Sequence, residues 1–194
     1  MKTIKKDTTF EMFINKSRFI CILCNINSKE EVLEKLNYYK SSYKDATHYC
    51  YAYIIDSYMK CDDDKEPSGT AGVPILNVLK NNKFEHILCI VIRYFGGIKL
   101  GAGGLVRAYS RSVSECLKEA EVVNLSSGFE IEISFDYNYT KYIDNLVKDF
   151  DIKKKFDEKV IYSFKISVLD FQKIESLLKE KARIIKKESI LTIV

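Results

Sequence analysis

Five of the chain's eight glycines, Gly96, Gly97, Gly101, Gly103 and Gly104, fall within one short stretch that constrains everything around it. The run before them, residues 87–92, is apolar throughout, long enough for one buried strand and too short for a typical helix. After them Val106, Tyr109, Val113, Cys116 and Leu117 recur at helical spacing. The segment therefore predicts a strand, a glycine loop and a helix. Glycine costs backbone entropy, so such density needs positive-φ turns or a backbone that something approaches closely. Such a loop at a helix N-terminus offers free N–H groups at the positive end of the helix dipole, which suits an anion. The competing reading is a tight loop that lets the helix pack on its sheet.

The loop matches no nucleotide fingerprint. The spacing from Gly96 to Gly101 is that of a P-loop, but Ala102 and Gly103 follow where Lys and Ser or Thr are required. The dinucleotide pattern fails because Val106 stands at the third-glycine position. In the following helix Arg107 and Arg111 are four apart and share a face, with Lys118 near it. Arginine in a first turn opposes the helix dipole, so a partner anion or carboxylate is expected there. A solvated face with Glu115 nearby is the alternative.

A chain of 194 residues can form one domain or two small ones. Its net charge of +4 permits nucleic-acid contact without arguing for it. No tract is long enough to span a bilayer, and Lys2, Lys5 and Lys6 precede no apolar signal segment, so a cytoplasmic protein without membrane contact is expected. Its six cysteines are then reduced thiols. Cys21 and Cys24 form a Cys-x-x-Cys, but in an apolar strand they point to opposite faces, and no second such pair completes a zinc site. They read as core residues, and no metal or cofactor is expected.

Along the first part, strands are predicted at 10–14 and 18–25 with a turn at Asn15-Lys16. Ser28 and Glu31 form a capping box for a helix whose apolar face carries Val32, Leu33 and Leu36. A strand at 48–56 leads into an exposed acidic loop at 61–70, and a short helix follows from about Thr70. That loop is not an EF-hand. Asp62 or Asp64 holding Mg²⁺ with a phosphate ligand competes with a solvated loop, or with carboxylates paired to Arg93 or Arg107.

Residues 124–128 read as a linker, giving domains 1–127 and 128–194. Phe129, Ile131, Ile133 and Phe135 then alternate with polar residues, as in a strand with one buried face. Asp136 or Asn138 caps a helix, 152–156 and 160–169 form a hairpin, Asp170 caps a second helix, and 183–194 is the last strand. The βαββαβ order is that of the ferredoxin-like fold, so the fold class is α+β. The outward positions of the first and third strands (Glu130, Glu132, Ser134, Ile161, Ser163, Lys165, Ser167) carry no aromatic residue. Base stacking on that sheet is therefore not expected, and the domain reads as a protein-interaction module.

Four blocks together resemble the IMPACT family, bacterial YigZ type. They are Lys16-Ser17-Arg18-Phe19, Asp45-Ala46-Thr47-His48, Glu66-Pro67-Ser68-Gly69-Thr70-Ala71-Gly72-x-Pro74, and Arg93-Tyr94-Phe95-Gly96-Gly97 continuing through Leu100-Gly101-x-Gly103-Gly104-Leu105-x-Arg107-Ala108-Tyr109. The resemblance implies an N-terminal α/β domain similar to the second domain of a ribosomal small-subunit protein. It also implies a C-terminal domain similar to a ferredoxin-like domain of elongation factor G. Lys65 departs from the family pattern, which has glycine before the Glu-Pro. The resemblance implies a link to translation or RNA without a defined reaction.

The resulting expectation is a non-enzymatic binding protein with RNA or the ribosome as partner. Its phosphate contacts would come from Arg93, Gly96, Gly97, Lys99, Gly101, Gly103, Gly104, Arg107 and Arg111, with Lys16 and Arg18 added. His48, Asp62, Asp63, Glu66, Ser68 and Thr70 form the motif loop beside them. One alternative is an enzyme acting on a phosphorylated small molecule, with Mg²⁺ at the acidic loop and His48 as acid or base. Another is a protein-binding adaptor working through the C-terminal domain.

Overall fold

The apolar run at 87–92 is the middle of a sheet covered on both faces, which is why it shows no alternation. In this computed structural model, which describes residues 1–56 and 58–193, the chain divides into two compact units, Met1–Val123 and Asn124–Val194. The first contains β1 (Lys2–Ile4), β2 (Thr8–Ile14), β3 (Ser17–Asn25), α1 (Lys29–Ser42), β4 (His48–Ile55), β5 (Tyr58–Asp62), α2 (Gly72–Asn81), β6 (Ile87–Tyr94) and α3 (Gly101–Glu119). Its main sheet runs β2-β3-β6-β4-β5, every pair antiparallel.

Strand alternation divides the core in two. Phe19, Cys21, Leu23, Cys50, Ala52, Cys89 and Val91 pack against Ile75 and Leu79 of α2 and Leu105, Tyr109 and Val113 of α3. Ile20, Ile22, Cys24, Leu88, Ile90 and Ile92 pack on the other side with Val32 and Leu36 of α1. Cys21 and Cys24 thus lie in opposite cores. Leu33, expected on the apolar face of α1, is exposed, because α1 needs only a narrow stripe against the sheet. The β2–β3 turn has positive φ at both Asn15 and Lys16, the backbone that matches the twist of a two-residue hairpin. Ser28 caps α1 by accepting from the Glu31 N–H, and Glu31 accepts in return from the Asn27 N–H.

The second unit contains β7 (Val122–Phe135) from Asn124 onward, α4 (Thr140–Leu146), β8 (Ile152–Phe156), β9 (Val160–Ser167), α5 (Val168–Lys181) and β10 (Arg183–Ile193). Its strands lie in the order β10-β7-β9-β8, all antiparallel. Ile131, Ile133, Phe135, Tyr162 and Phe164 share a core with Ile143 of α4 and Phe171 and Leu178 of α5. Each unit is thus mixed α+β.

Three local expectations need correction. Residues 124–128 are strand, not linker: Ser126, Ser127 and Gly128 pair with Thr192, Leu191 and Ile190 of β10. Cross-strand partners outweigh the weak strand propensity of Ser and Gly there. Ser167, not Asp170, caps α5, accepting from the Asp170 N–H, while Asp170 accepts from the Ser167 hydroxyl. A 3₁₀ turn, Tyr137–Tyr139, precedes α4, and neither Asp136 nor Asn138 caps that helix.

Candidate functional site

Arg93 organises the site. It ends the apolar stretch of β6, and because that strand is central the residue is buried, 4 % exposed. A buried guanidinium needs a charged partner. Its Nη1 donates to Glu66 Oε1 at 2.6 Å and its Nη2 to Ser17 Oγ at 3.4 Å. The guanidinium carbon lies 5.4 Å from the ring centres of both Phe19 and Phe95. Its Nε has no hydrogen-bond partner among the described residues.

Glu66 Oε1 also accepts from the Tyr109 hydroxyl at 2.8 Å, and His48 Nε2 lies 3.7 Å from it. Burial holds the Tyr109 phenol far above its usual range, so it stays protonated and donates. The Cys50 thiol lies 3.3 Å from the Tyr109 hydroxyl and 3.0 Å from the Asp63 carbonyl, and burial pushes it up to about 12. His48 Nδ1 is 2.8 Å from the Asp64 carbonyl. A carbonyl only accepts, so Nδ1 carries a proton, and Nε2 is the ring nitrogen left to face Glu66 and the cavity.

The acidic loop is not a free carboxylate cluster. Cys61 and Asp62 belong to β5, and Asp62 Oδ1 accepts from the Asp64 N–H at 2.8 Å. Asp63 turns inward and accepts from the N–H groups of Gly69, Ala71 and Gly72 at 2.8, 3.0 and 2.8 Å. Burial pushes its carboxyl up, but these three donors outweigh that and leave it below the usual range. Asp64 accepts from the Tyr49 N–H at 2.7 Å. These bonds fold the loop so that Glu66 points at Arg93. Thr70 is buried with its hydroxyl on the Pro67 carbonyl, and Ser68 is exposed. Lys65, where the family pattern has glycine, sits at φ +70, in the left-handed region that favours glycine.

The glycine loop is shorter than expected. Gly101, Gly103 and Gly104 lie in the first turn of α3, so only residues 95–100 are loop. A Cβ on Gly96 would stand 2.0 Å from the Lys16 carbonyl carbon, so only glycine lets the β2–β3 turn seat against the loop. The Gly96 N–H donates to Ser17 Oγ and the Phe95 N–H to Thr47 Oγ1, at 3.2 and 2.9 Å. Gly97 and Gly101 have φ of +83 and +69. Among the described residues no side chain caps α3. The four motif blocks, spread across most of the first unit, therefore meet around Arg93.

Of the expected phosphate contacts, Lys16, Lys99, Arg107 and Arg111 are exposed, and none forms a salt bridge among the described residues. Arg18 binds Glu11 at 2.7 Å. Arg93 is committed to Glu66 and is not offered to solvent. Sequence reasoning passed over Ser17, Thr47, Phe95 and Tyr109. Each lies inside a motif block, and the exposed Phe95 beside two glycines was the readable signal.

Above the buried pair is a cavity of about 400 Å³. Its walls are Pro67, Phe95, Leu100, Ala102 and Leu105, with His48, Glu66 and Arg93 beneath and Lys99 and Gly101 at the side. The frame and site define a class: α+β proteins of two units whose first unit carries a pocket over a buried Arg–Glu pair. The chain belongs to the IMPACT family, since residues 15–117, which contain all four blocks, match the Impact N-terminal domain.

It is 45% identical over 150 residues to "IMPACT family member YvyE" of Bacillus subtilis (strain 168), covering 76% of this chain and 69% of that protein. It is 32% identical over 145 residues to "IMPACT family member YigZ" of Escherichia coli (strain K12), covering 72% and 71%. A crystal structure titled as a hypothetical protein aligns with TM-score 0.66 and 26% identity over 96% of this chain and 97% of that one. The two-domain translational regulator Yih1 aligns with TM-score 0.35 and 20% identity over 61% of this chain and 46% of that one, too remote a likeness to argue from.

Proposed function

We propose that the chain is a cytoplasmic binding protein of the translation apparatus that contacts RNA phosphates, free or on the ribosome. One observation carries the reading: among the described residues Lys16, Lys99, Arg107 and Arg111 are exposed with no carboxylate partner, Lys99 and Arg107 lie by the α3 N-terminus, and no side chain caps it. Unpaired cations and free helix N–H groups together suit phosphate. The family resemblance supplies the link to translation, with a first unit like a ribosomal-protein domain and a second, ferredoxin-like unit like that of elongation factor G. Arg93 leaves the set of contacts. Arg18 stays in it, because an exposed pair such as Arg18–Glu11 contributes at most about 1 kcal/mol and can exchange its carboxylate for a phosphate. The second unit, whose outward positions on β7 and β9 carry no aromatic residue, serves a protein partner.

The enzyme reading gains no support from the acidic loop, where Asp62, Asp63 and Asp64 each accept backbone N–H groups. Fluorescence anisotropy of the full chain with a labelled single-stranded RNA tests the proposal. Five phosphate contacts give a log–log salt slope of about −3.5, a loss of roughly a hundredfold in affinity between about 50 and 200 mM salt. Absence of binding at the lower salt refutes it.

A further inference from the structure

The cavity beside these cations is not needed for phosphate contact, and its chemistry is divided. Its volume, about 400 Å³, is at the small end of the range for ligand pockets. Phe95 and Leu105 present apolar surface. Phe95 is 44% exposed, yet its ring rests against the guanidinium of the buried Arg93, which holds it in place. Beneath, Glu66 Oε1 is engaged by Arg93 and Tyr109, while Oε2 receives no hydrogen bond from the described residues. His48, whose Nδ1 donates to the Asp64 carbonyl, turns Nε2 to the cavity, an acceptor when the ring is neutral. At the side stand Lys99 and the start of α3. A ligand that matches has a flat ring with N–H groups on its edge and carries a phosphate.

We infer that this cavity takes one nucleoside 5′-phosphate, its base against Phe95 with edge N–H groups toward Glu66 and His48, and its phosphate at Lys99 and the first N–H groups of α3. The nucleotide is supplied by single-stranded RNA, so the inference rests on the function proposed above. It adds a consequence: paired bases cannot enter, and the pocket selects unpaired nucleotides over duplex.

Two measurements on the full-length chain separate the inference from the reading beneath it. In the first, ¹⁵N-labelled protein is titrated with each of the four ribonucleoside 5′-monophosphates, with ribose 5-phosphate and with inorganic phosphate. The expected result is that nucleotides shift the amide signals of Phe95, Gly101, Ala102 and Leu105, and that ribose 5-phosphate binds at least about tenfold more weakly, because it lacks the stacking base. Equal binding of ribose 5-phosphate or phosphate, or shifts confined to other residues, overturns it.

In the second, single- and double-stranded RNA are titrated against wild type, Phe95→Ala, Ala102→Trp and Arg107→Ala, with folding of each variant checked by circular dichroism. Loss of the stacking ring is expected to weaken single-strand binding roughly ten- to a hundredfold and leave duplex binding unchanged. Ala102→Trp, which fills the cavity from an exposed position, should do the same, whereas Arg107→Ala should weaken both RNAs alike. If both pocket variants bind single strands as wild type does, the pocket inference fails while the phosphate surface stands. If nucleotides bind the pocket but no RNA binds, the pocket stands as a site for a free nucleotide, and both the RNA source and the proposed function fail.

Discussion

Removing Glu66 tests whether the buried pair holds the site together. The Arg93 and Glu66 side chains are 5% and 3% exposed, and their contact is 2.6 Å. Glu66→Ala leaves a guanidinium in place between two aromatic rings, with Nη1 newly unpaired and Nε already so. It also strands the buried Tyr109 hydroxyl. Breaking a buried pair from one side costs about 3–5 kcal/mol, a large part of the roughly 5–15 kcal/mol that holds a typical domain. Glu66→Gln keeps an acceptor oxygen but not the charge, and should cost about 1–3 kcal/mol. Glu66→Ala combined with Arg93→Met should be less destabilised than Glu66→Ala alone, because the uncompensated charge is gone. Urea unfolding followed by circular dichroism and by fluorescence of the 13 tyrosines, in a chain without tryptophan, reads these differences. A cost below about 1 kcal/mol for Glu66→Ala, or a double variant weaker than the single, would refute the reasoning.

Other substitutions probe the surrounding backbone. Lys65→Gly should raise stability by about 1 kcal/mol in thermal or urea unfolding, because Lys65 holds φ +70 and glycine does so without strain. Gly96→Ala should cost about 3 kcal/mol, since its Cβ would overlap the Lys16 backbone and force the hairpin turn away. Asp63→Ala should cost about 2–3 kcal/mol at neutral pH by leaving three N–H donors unpaired. Because the folded state lowers the Asp63 pKa, its contribution is present above the usual value of 3.8 and is lost as pH falls through the folded value. The gap between wild type and Asp63→Ala should therefore close in acid, as urea midpoints across pH will show. A thiol reagent should modify Cys61, half-buried and with its thiol pushed up by burial and by Asp63 and Asp62, slowly but ahead of the other five cysteines, all buried. Cys61→Ser should abolish that modification.

Much of the frame was legible because strand and helix periods are local properties. The unbroken apolar run of β6 announced a buried strand, and the alternation at residues 129–135 announced one with a single buried face. The β2–β3 turn and the Ser28 cap were readable from residue type. Residues 124–128 were misread because their strand exists only through pairing with β10, far along the chain. Arg93 stood in two readings, a phosphate contact and a partner for an acidic-loop carboxylate, because a charge ending an apolar strand can serve either; the structure has the second, with Glu66 across a loop whose path the sequence does not state. That path is set by three backbone donors converging on Asp63, a feature of chain geometry rather than residue spacing. The unpaired cations of α3 were legible from their four-residue spacing, since nothing in the fold turns them inward.

The salt dependence of single-stranded RNA binding, compared between wild type and the Arg107→Ala/Arg111→Ala double variant, bears most directly on the proposed phosphate surface. Both side chains are exposed and free of salt bridges among the described residues. Their loss should change stability by no more than about 0.5 kcal/mol. Two lost phosphate contacts should make the log–log salt slope shallower by about 1.4, with the same relative loss of affinity for every RNA sequence. An unchanged slope, or a double variant that no longer folds, would contradict the account.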